Sequence, residues 1–134
     1  MENSKLDGWR VLVVDDEPDS IDVVTMVLSA SGATVFTAAN GQEGLVIFKQ
    51  RQPTLILTDL SMPEMDGWEL IKEIRQSKNG HTTPVIALTA HAMSGDKERV
   101  LAGGFDGYLS KPLKMFTLLD DLKSCLGSKT PGLL

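Results

Sequence analysis

The chain has 134 residues and carries 13 basic against 18 acidic side chains, a formal net charge of −5. That is the length of one ordinary domain, and 42% hydrophobic with 23% charged residues describes a folded globular protein rather than a disordered one. A bilayer span of roughly 20 apolar residues is excluded because runs such as Val11-Leu12-Val13-Val14 are far too short, and no basic stripe supports direct nucleic-acid binding.

Two hydrophobic periods alternate along the chain. Val11 to Val14 has little polar alternation and suits a strand buried on both faces. Pro18 can open a helix, along which Ile21, Val24 and Leu28 recur until Gly32. Thr34 to Ala38 reads as a second strand, Asn40-Gly41 as a turn or cap, and Leu45 with Phe48 as a helix ending before Pro53. Leu55 to Thr58 is the third strand, followed by a helix that opens near Asp66 with Leu70, Ile71 and Ile74 as its apolar stripe. Pro84 introduces a fourth strand, Val85 to Leu88. A weakly specified helix spans Gly95 to Ala102 and ends at Gly103-Gly104. Gly107-Tyr108-Leu109 belongs to a fifth strand, and Leu113, Phe116, Leu119 and Leu122 line a last helix that Gly127 closes. Five β-α units in this order imply an α/β fold: a five-stranded parallel sheet with helices on both faces. Residues 1–8 read as an extension, 9–127 as the domain and 128–134 as a loose tail.

In such a sheet, ligands bind outside the carboxyl ends of the strands. Asp15, Asp16 and Glu17 follow the first strand, Asp59 and then Ser61 the third, Thr89 the fourth, and Lys111-Pro112 the fifth. Carboxylates crowded there repel one another unless a cation joins them, and an all-oxygen site with few protein ligands suits Mg²⁺. The Ser61 backbone carbonyl can complete the protein's share of the ligands. A carboxylate is also a nucleophile toward phosphorus, and phosphoryl transfer needs its equatorial oxygens neutralised. An ionised Asp59 attacks without a general base, while Thr89 and Lys111 offer neutralising contacts.

The runs Val13-Val14-Asp15-Asp16-Glu17, Leu57-Thr58-Asp59-Leu60-Ser61-Met62-Pro63-Glu64-Met65-Asp66-Gly67, Ala87-Leu88-Thr89-Ala90 and Leu109-Ser110-Lys111-Pro112 together resemble the receiver domain of two-component response regulators. The likeness covers about Trp9 to Leu126, and no position departs from the core pattern. It implies a flavodoxin-like, doubly wound (βα)5 fold with strand order 2-1-3-4-5. Asp59 is then the phosphorylated residue, taking its phosphoryl group from a phosphohistidine of a sensor histidine kinase or phosphotransfer protein. Asp15, Asp16, Asp59 and the Ser61 carbonyl hold Mg²⁺, with Mn²⁺ as a substitute; Asp16 is the more direct ligand and Asp15 acts partly through water. Thr89 and Lys111 contact the phosphoryl group, Tyr108 is an aromatic switch that follows Thr89, and a cis Lys111-Pro112 bond aims the lysine inward.

The resulting expectation is a cytoplasmic, stand-alone phosphorylation switch that is not a turnover enzyme. It signals by protein–protein contact through its fourth helix, fifth strand and fifth helix. Three other readings follow from the same residues. An Mg²⁺-dependent aspartyl-phosphate phosphatase of the haloacid-dehalogenase kind carries a second acid two residues after its nucleophile, where this chain has Ser61. A flavodoxin-like cofactor binder needs a phosphate-cradling loop where three acids stand. A receiver excised from a hybrid histidine kinase shares every motif. Trp68 is expected to pack on its own helix, Cys125 to fill apolar space, and His91 to be solvated near the phosphoryl site.

Overall fold

In a computed structural model that describes residues 6–78, 80–90 and 94–127, parallel strands alternate with helices. They are β1 (Arg10–Val14), α1 (Pro18–Ala30), β2 (Thr34–Ala38), α2 (Gly41–Arg51), β3 (Leu55–Asp59), α3 (Gly67–Gln76), β4 (Val85–Thr89), α4 (Ser94–Ala102), β5 (Gly107–Ser110) and α5 (Leu118–Leu126). The sheet order is β2-β1-β3-β4-β5, the expected doubly wound arrangement. His91 and Met93 lie outside the described residues.

Alternation along the central strands divides the core in two. Val11, Val13, Leu55, Leu57, Ile86 and Leu88 face α1 and α5 and meet Val24, Leu28, Leu118, Leu122 and Leu126. Leu12, Val14, Ile56, Val85 and Ala87 face the other way, where Phe48, Leu70, Ile71, Ile74 and Val100 close over them from α2, α3 and α4. Every residue of β3 and β4 is buried, which explains why their sequences read as unbroken apolar runs. Both strands extend one residue past their expected ends, because Asp59 still pairs with Leu88 and Thr89 with Ser110.

The helix ends follow local chemistry. Asp66 caps α3 with a reciprocal capping box: its carboxylate accepts from the Glu69 amide, and the Glu69 side chain accepts from the Asp66 amide. Asn40 caps α2 by accepting from the Glu43 amide at 2.9 Å.

Two expectations change. The last helix begins at Leu118 and buries Leu118, Leu122 and Leu126, not the stripe expected from Leu113, Phe116, Leu119 and Leu122. Phe116 is 95% exposed, because it precedes the helix in a turn that the Thr117 amide closes on the Lys114 carbonyl. Packing also starts ahead of Trp9: Leu6 is fully buried and its amide donates to the Ser31 carbonyl at 2.7 Å.

Candidate functional site

The strand order reverses between β1 and β3, so the carboxyl ends of these neighbours open the crevice. Their register, with Val14 opposite Thr58, brings Asp15 and Asp59 side by side. The Asp15 amide still donates to the Ala38 carbonyl, which carries the sheet pairing one residue beyond β1 and holds the carboxylate at full burial. Asp15 Oδ1 accepts from the Glu17 amide at 2.9 Å. Glu17 is the residue before α1, yet its side chain makes no capping bond and reaches Lys111 instead.

Asp59 ends β3 where the next segment passes very close. The Gly67 amide donates to the Leu60 carbonyl, and a Cβ on Gly67 would stand 2.3 Å from the Asp59 carbonyl oxygen. Only glycine fits there, so α3 starts directly against the floor of the site. The Ser61 amide donates to Asp59 Oδ1 at 3.3 Å. On the far side, the Lys111 amide donates to the Thr89 carbonyl at 2.8 Å, and the Lys111–Pro112 peptide is cis.

Lys111 Nζ lies 2.9 Å from Asp15 Oδ2, 3.1 Å from Asp59 Oδ2 and 2.5 Å from Glu17 Oε1. Burial alone would lower the pKa of this ammonium, but its bonds to Asp15, Glu17 and Asp59 outweigh that and push it above the ordinary lysine value. Burial raises the pKa of Asp15, with the Lys111 and Glu17 contacts offsetting only part of the effect.

Above this nest is a cavity of about 540 Å³ lined by Asp16, Glu17, Asp59, Ser61, Thr89 and Lys111, among others. The sequence-predicted residues therefore converge, with Asp15 beneath the cavity floor and Asp16 exposed on its rim. Tyr108 is half-buried on β5 opposite Ala87 and lines the adjoining groove beside α5 rather than this cavity.

The donor set fits a hard divalent cation. Carboxylate oxygens of Asp15, Glu17 and Asp59 all lie within 4.8 Å of one another. Asp15 Oδ2 is buried with no hydrogen bond, although the Lys111 ammonium stands beside it as a counterion. Such an oxygen-rich, partly open cluster suits Mg²⁺.

Glu17, Trp68 and Arg99 also line the cavity, beyond the residues whose site roles the sequence predicts. Glu17 stood in the acidic run, but nothing in that run tells which acid reaches the lysine. Trp68 does more than pack on its own helix: its ring meets Phe105 edge-on at 5.4 Å, and Arg99 of α4 lies 5.4 Å above it. Trp68 and Arg99 form a wall of the same cavity.

A doubly wound α/β domain with a carboxylate nest around one lysine at its switch point defines a narrow class. The model of the response regulator receiver domain matches residues 11–123, and the chain belongs to that family. It is 36% identical over 117 residues to the polar-differentiation response regulator DivK of Brucella anthropi, covering 87% of this chain and 95% of that one. The chemotaxis response regulator CheY4 of Vibrio cholerae superposes with a TM-score of 0.83 at 34% identity, over 88% of this chain and 98% of that one. The receiver domain of the Pseudomonas aeruginosa sensor histidine kinase PA1611, solved with magnesium coordinated in its active-site cleft, superposes with a TM-score of 0.78 at 35% identity, over 90% and 98% of the two chains. The chain is thus a response-regulator receiver, a signalling domain whose acidic cluster fits a phosphoacceptor site with Mg²⁺. Among the described residues no helix is long and apolar enough to cross a membrane.

Proposed function

We propose that Asp59 accepts a phosphoryl group from a phosphohistidine of a histidine kinase or phosphotransfer protein. The observation that carries this is placement: Asp59 lines the cavity with Oδ2 against Lys111, whereas Asp15 is sealed beneath it. An Asp59 oxygen attacks phosphorus as the phosphorus–nitrogen bond breaks, and the electron pair returns to the imidazole, which takes a proton from solvent. Lys111 steers the attacking carboxylate and then pairs with a phosphoryl oxygen. Thr89, at the end of β4 on the same cavity, donates its hydroxyl to another. Asp15, Asp16, Asp59 and the Ser61 carbonyl would hold Mg²⁺, which when bound would supply positive charge to the phosphoryl oxygens, and Mn²⁺ would have the oxygen affinity to replace it. Glu17 is positioned to take over Lys111 whenever a metal occupies its place among the acids.

Phosphorylation draws Thr89 toward Asp59, and Tyr108 turns into the space released. The changed surface of α4, β5 and α5 is the one an effector protein meets in the cytoplasm, with no direct contact to nucleic acid. Self-phosphorylation and autodephosphorylation are the whole of its chemistry, without turnover of a free metabolite. The test is incubation with a phosphorylated phosphotransfer protein, in Mg²⁺ and in chelator, followed by intact mass. The parent gains one phosphoryl group only with Mg²⁺, and Asp59→Asn gains none; phosphorylation of the Asn variant at the parental rate overturns the assignment.

A further inference from the structure

We propose that α2, none of whose residues lines the cavity, sets the spacing between the two halves of the metal site and with it the preference for a small cation. The inference rests on Asp15, Asp16 and the Ser61 carbonyl as ligands of the metal. The two acids follow β1 and Ser61 belongs to the segment after β3, so whatever fixes that segment against β1 fixes the gap between them. Two glycines let α2 touch both sides. A Cβ on Gly44 would stand 2.8 Å from Val14 Cγ2, so the helix lies directly on the last residue of β1. A Cβ on Gly41 would stand 2.4 Å from the Met65 carbonyl oxygen, to which the Gly41 amide donates at 2.9 Å.

Gly41 does not hold one of the positive φ values that favour glycine, so it is this contact alone that demands the missing side chain. Asn40 adds a second tie. Its Oδ1 caps α2 by accepting from the Glu43 amide, while its Nδ2 donates to Glu64 Oε2 at 3.3 Å. Glu64 has a left-handed φ of 69°, and the Met65 amide donates to the Pro63 carbonyl, a turn that presents the Met65 carbonyl to α2. At the base of the same segment, the Gly67 amide donates to the Leu60 carbonyl. Ser61 therefore lies between two ties. Phe48, buried in the core beneath α2, holds the helix in place as a spacer. Mg²⁺ demands near-octahedral oxygens at about 2.1 Å, whereas Ca²⁺ accepts looser geometry at about 2.4 Å, so loosening the gap penalises Mg²⁺ more.

The test titrates magnesium chloride and calcium chloride separately into the full chain by calorimetry, with metal-free melting curves to establish that each variant folds. Gly41→Ala pushes the Met65 carbonyl away from α2, and it binds Mg²⁺ about tenfold more weakly but loses less than about threefold for Ca²⁺. Asn40→Asp keeps the helix cap but sets a carboxylate against Glu64; it binds Mg²⁺ about threefold more weakly, although the added charge alone would tighten binding. Asn40→Asp/Glu64→Gln restores the net charge and a hydrogen bond of reversed polarity, and its Mg²⁺ affinity returns to the parental value. Parental Mg²⁺ affinity in Gly41→Ala, or an equal loss for both cations, overturns the proposal. So does an Asn40→Asp variant that binds Mg²⁺ as tightly as the parent or more so, or a double variant no better than Asn40→Asp. Should Gly41→Ala fail to fold, the Asn40 variants decide the matter. A parent that binds neither cation removes the ligand reading and this inference with it.

Discussion

Asp15 illustrates how a single residue can trade stability for a site. Its carboxylate is fully buried, its raised pKa records a desolvation cost that Lys111 does not fully offset, and Oδ1 is committed to the Glu17 amide. Asparagine keeps that acceptor while removing the charge. Without divalent metal, Asp15→Asn is expected to be more stable than the parent by about 1 kcal/mol, roughly 4 °C in melting temperature. Because folding raises this pKa above its ordinary 3.8, the native state binds the extra proton, and the parent loses stability as pH rises through that interval. The advantage of the variant is therefore small near pH 4 and full at neutral pH. With Asp15 holding the metal as proposed, added Mg²⁺ is expected to reverse the ranking, since the variant lacks that carboxylate. Melting curves across pH, with and without Mg²⁺, check both statements; an unaltered Mg²⁺ response in Asp15→Asn contradicts them.

At the scale of elements, Arg75 holds three segments together. From α3 its guanidinium donates to the Gly80 and Thr83 carbonyls at 2.7 Å each, to the Gly104 carbonyl, and to Asp106 Oδ2 at 3.1 Å. Asp106 Oδ2 also accepts from the Val85 amide, so the network sets where β4 begins and where the chain leaves α4. Arg75→Met is expected to cost about 3 kcal/mol in urea unfolding, because it strands several half-buried acceptors at once; a loss under about 1 kcal/mol contradicts this. The frame of α5 gives a second contrast. Leu122→Ala should cost about 3 kcal/mol, whereas Phe116→Ser should stay within about 0.5 kcal/mol. The sequence misleads here for a physical reason: Leu113, Phe116, Leu119 and Leu122 also recur at helical spacing, and only the sheet surface selects Leu118, Leu122 and Leu126. By contrast, β1, β3 and β4 are legible because burial on both faces demands unbroken apolar runs whatever packs on them.

For the whole molecule, the strand order assembles the site. Asp15, Asp59, Thr89 and Lys111 are far apart in the chain, and they meet because β1 and β3 are neighbours and Thr89 and Lys111 end the next two strands. That convergence was readable from strand ends alone. The Trp68–Arg99 wall was not, since helix-to-helix contacts over a crevice leave no periodic trace in sequence. Glu17 marks the same limit: its grip on Lys111 depends on how α1 enters the sheet. Chemical mapping of the phosphorylated residue is the most direct measurement. Borohydride reduces an acyl phosphate to an alcohol, so peptide sequencing after phosphotransfer should find homoserine at position 59, with Asp15, Asp16 and Glu17 unmodified. A reduced residue at any of those three, or a phosphoryl group that survives borohydride on a hydroxyl or histidine, would show that the cleft captures phosphorus by another route.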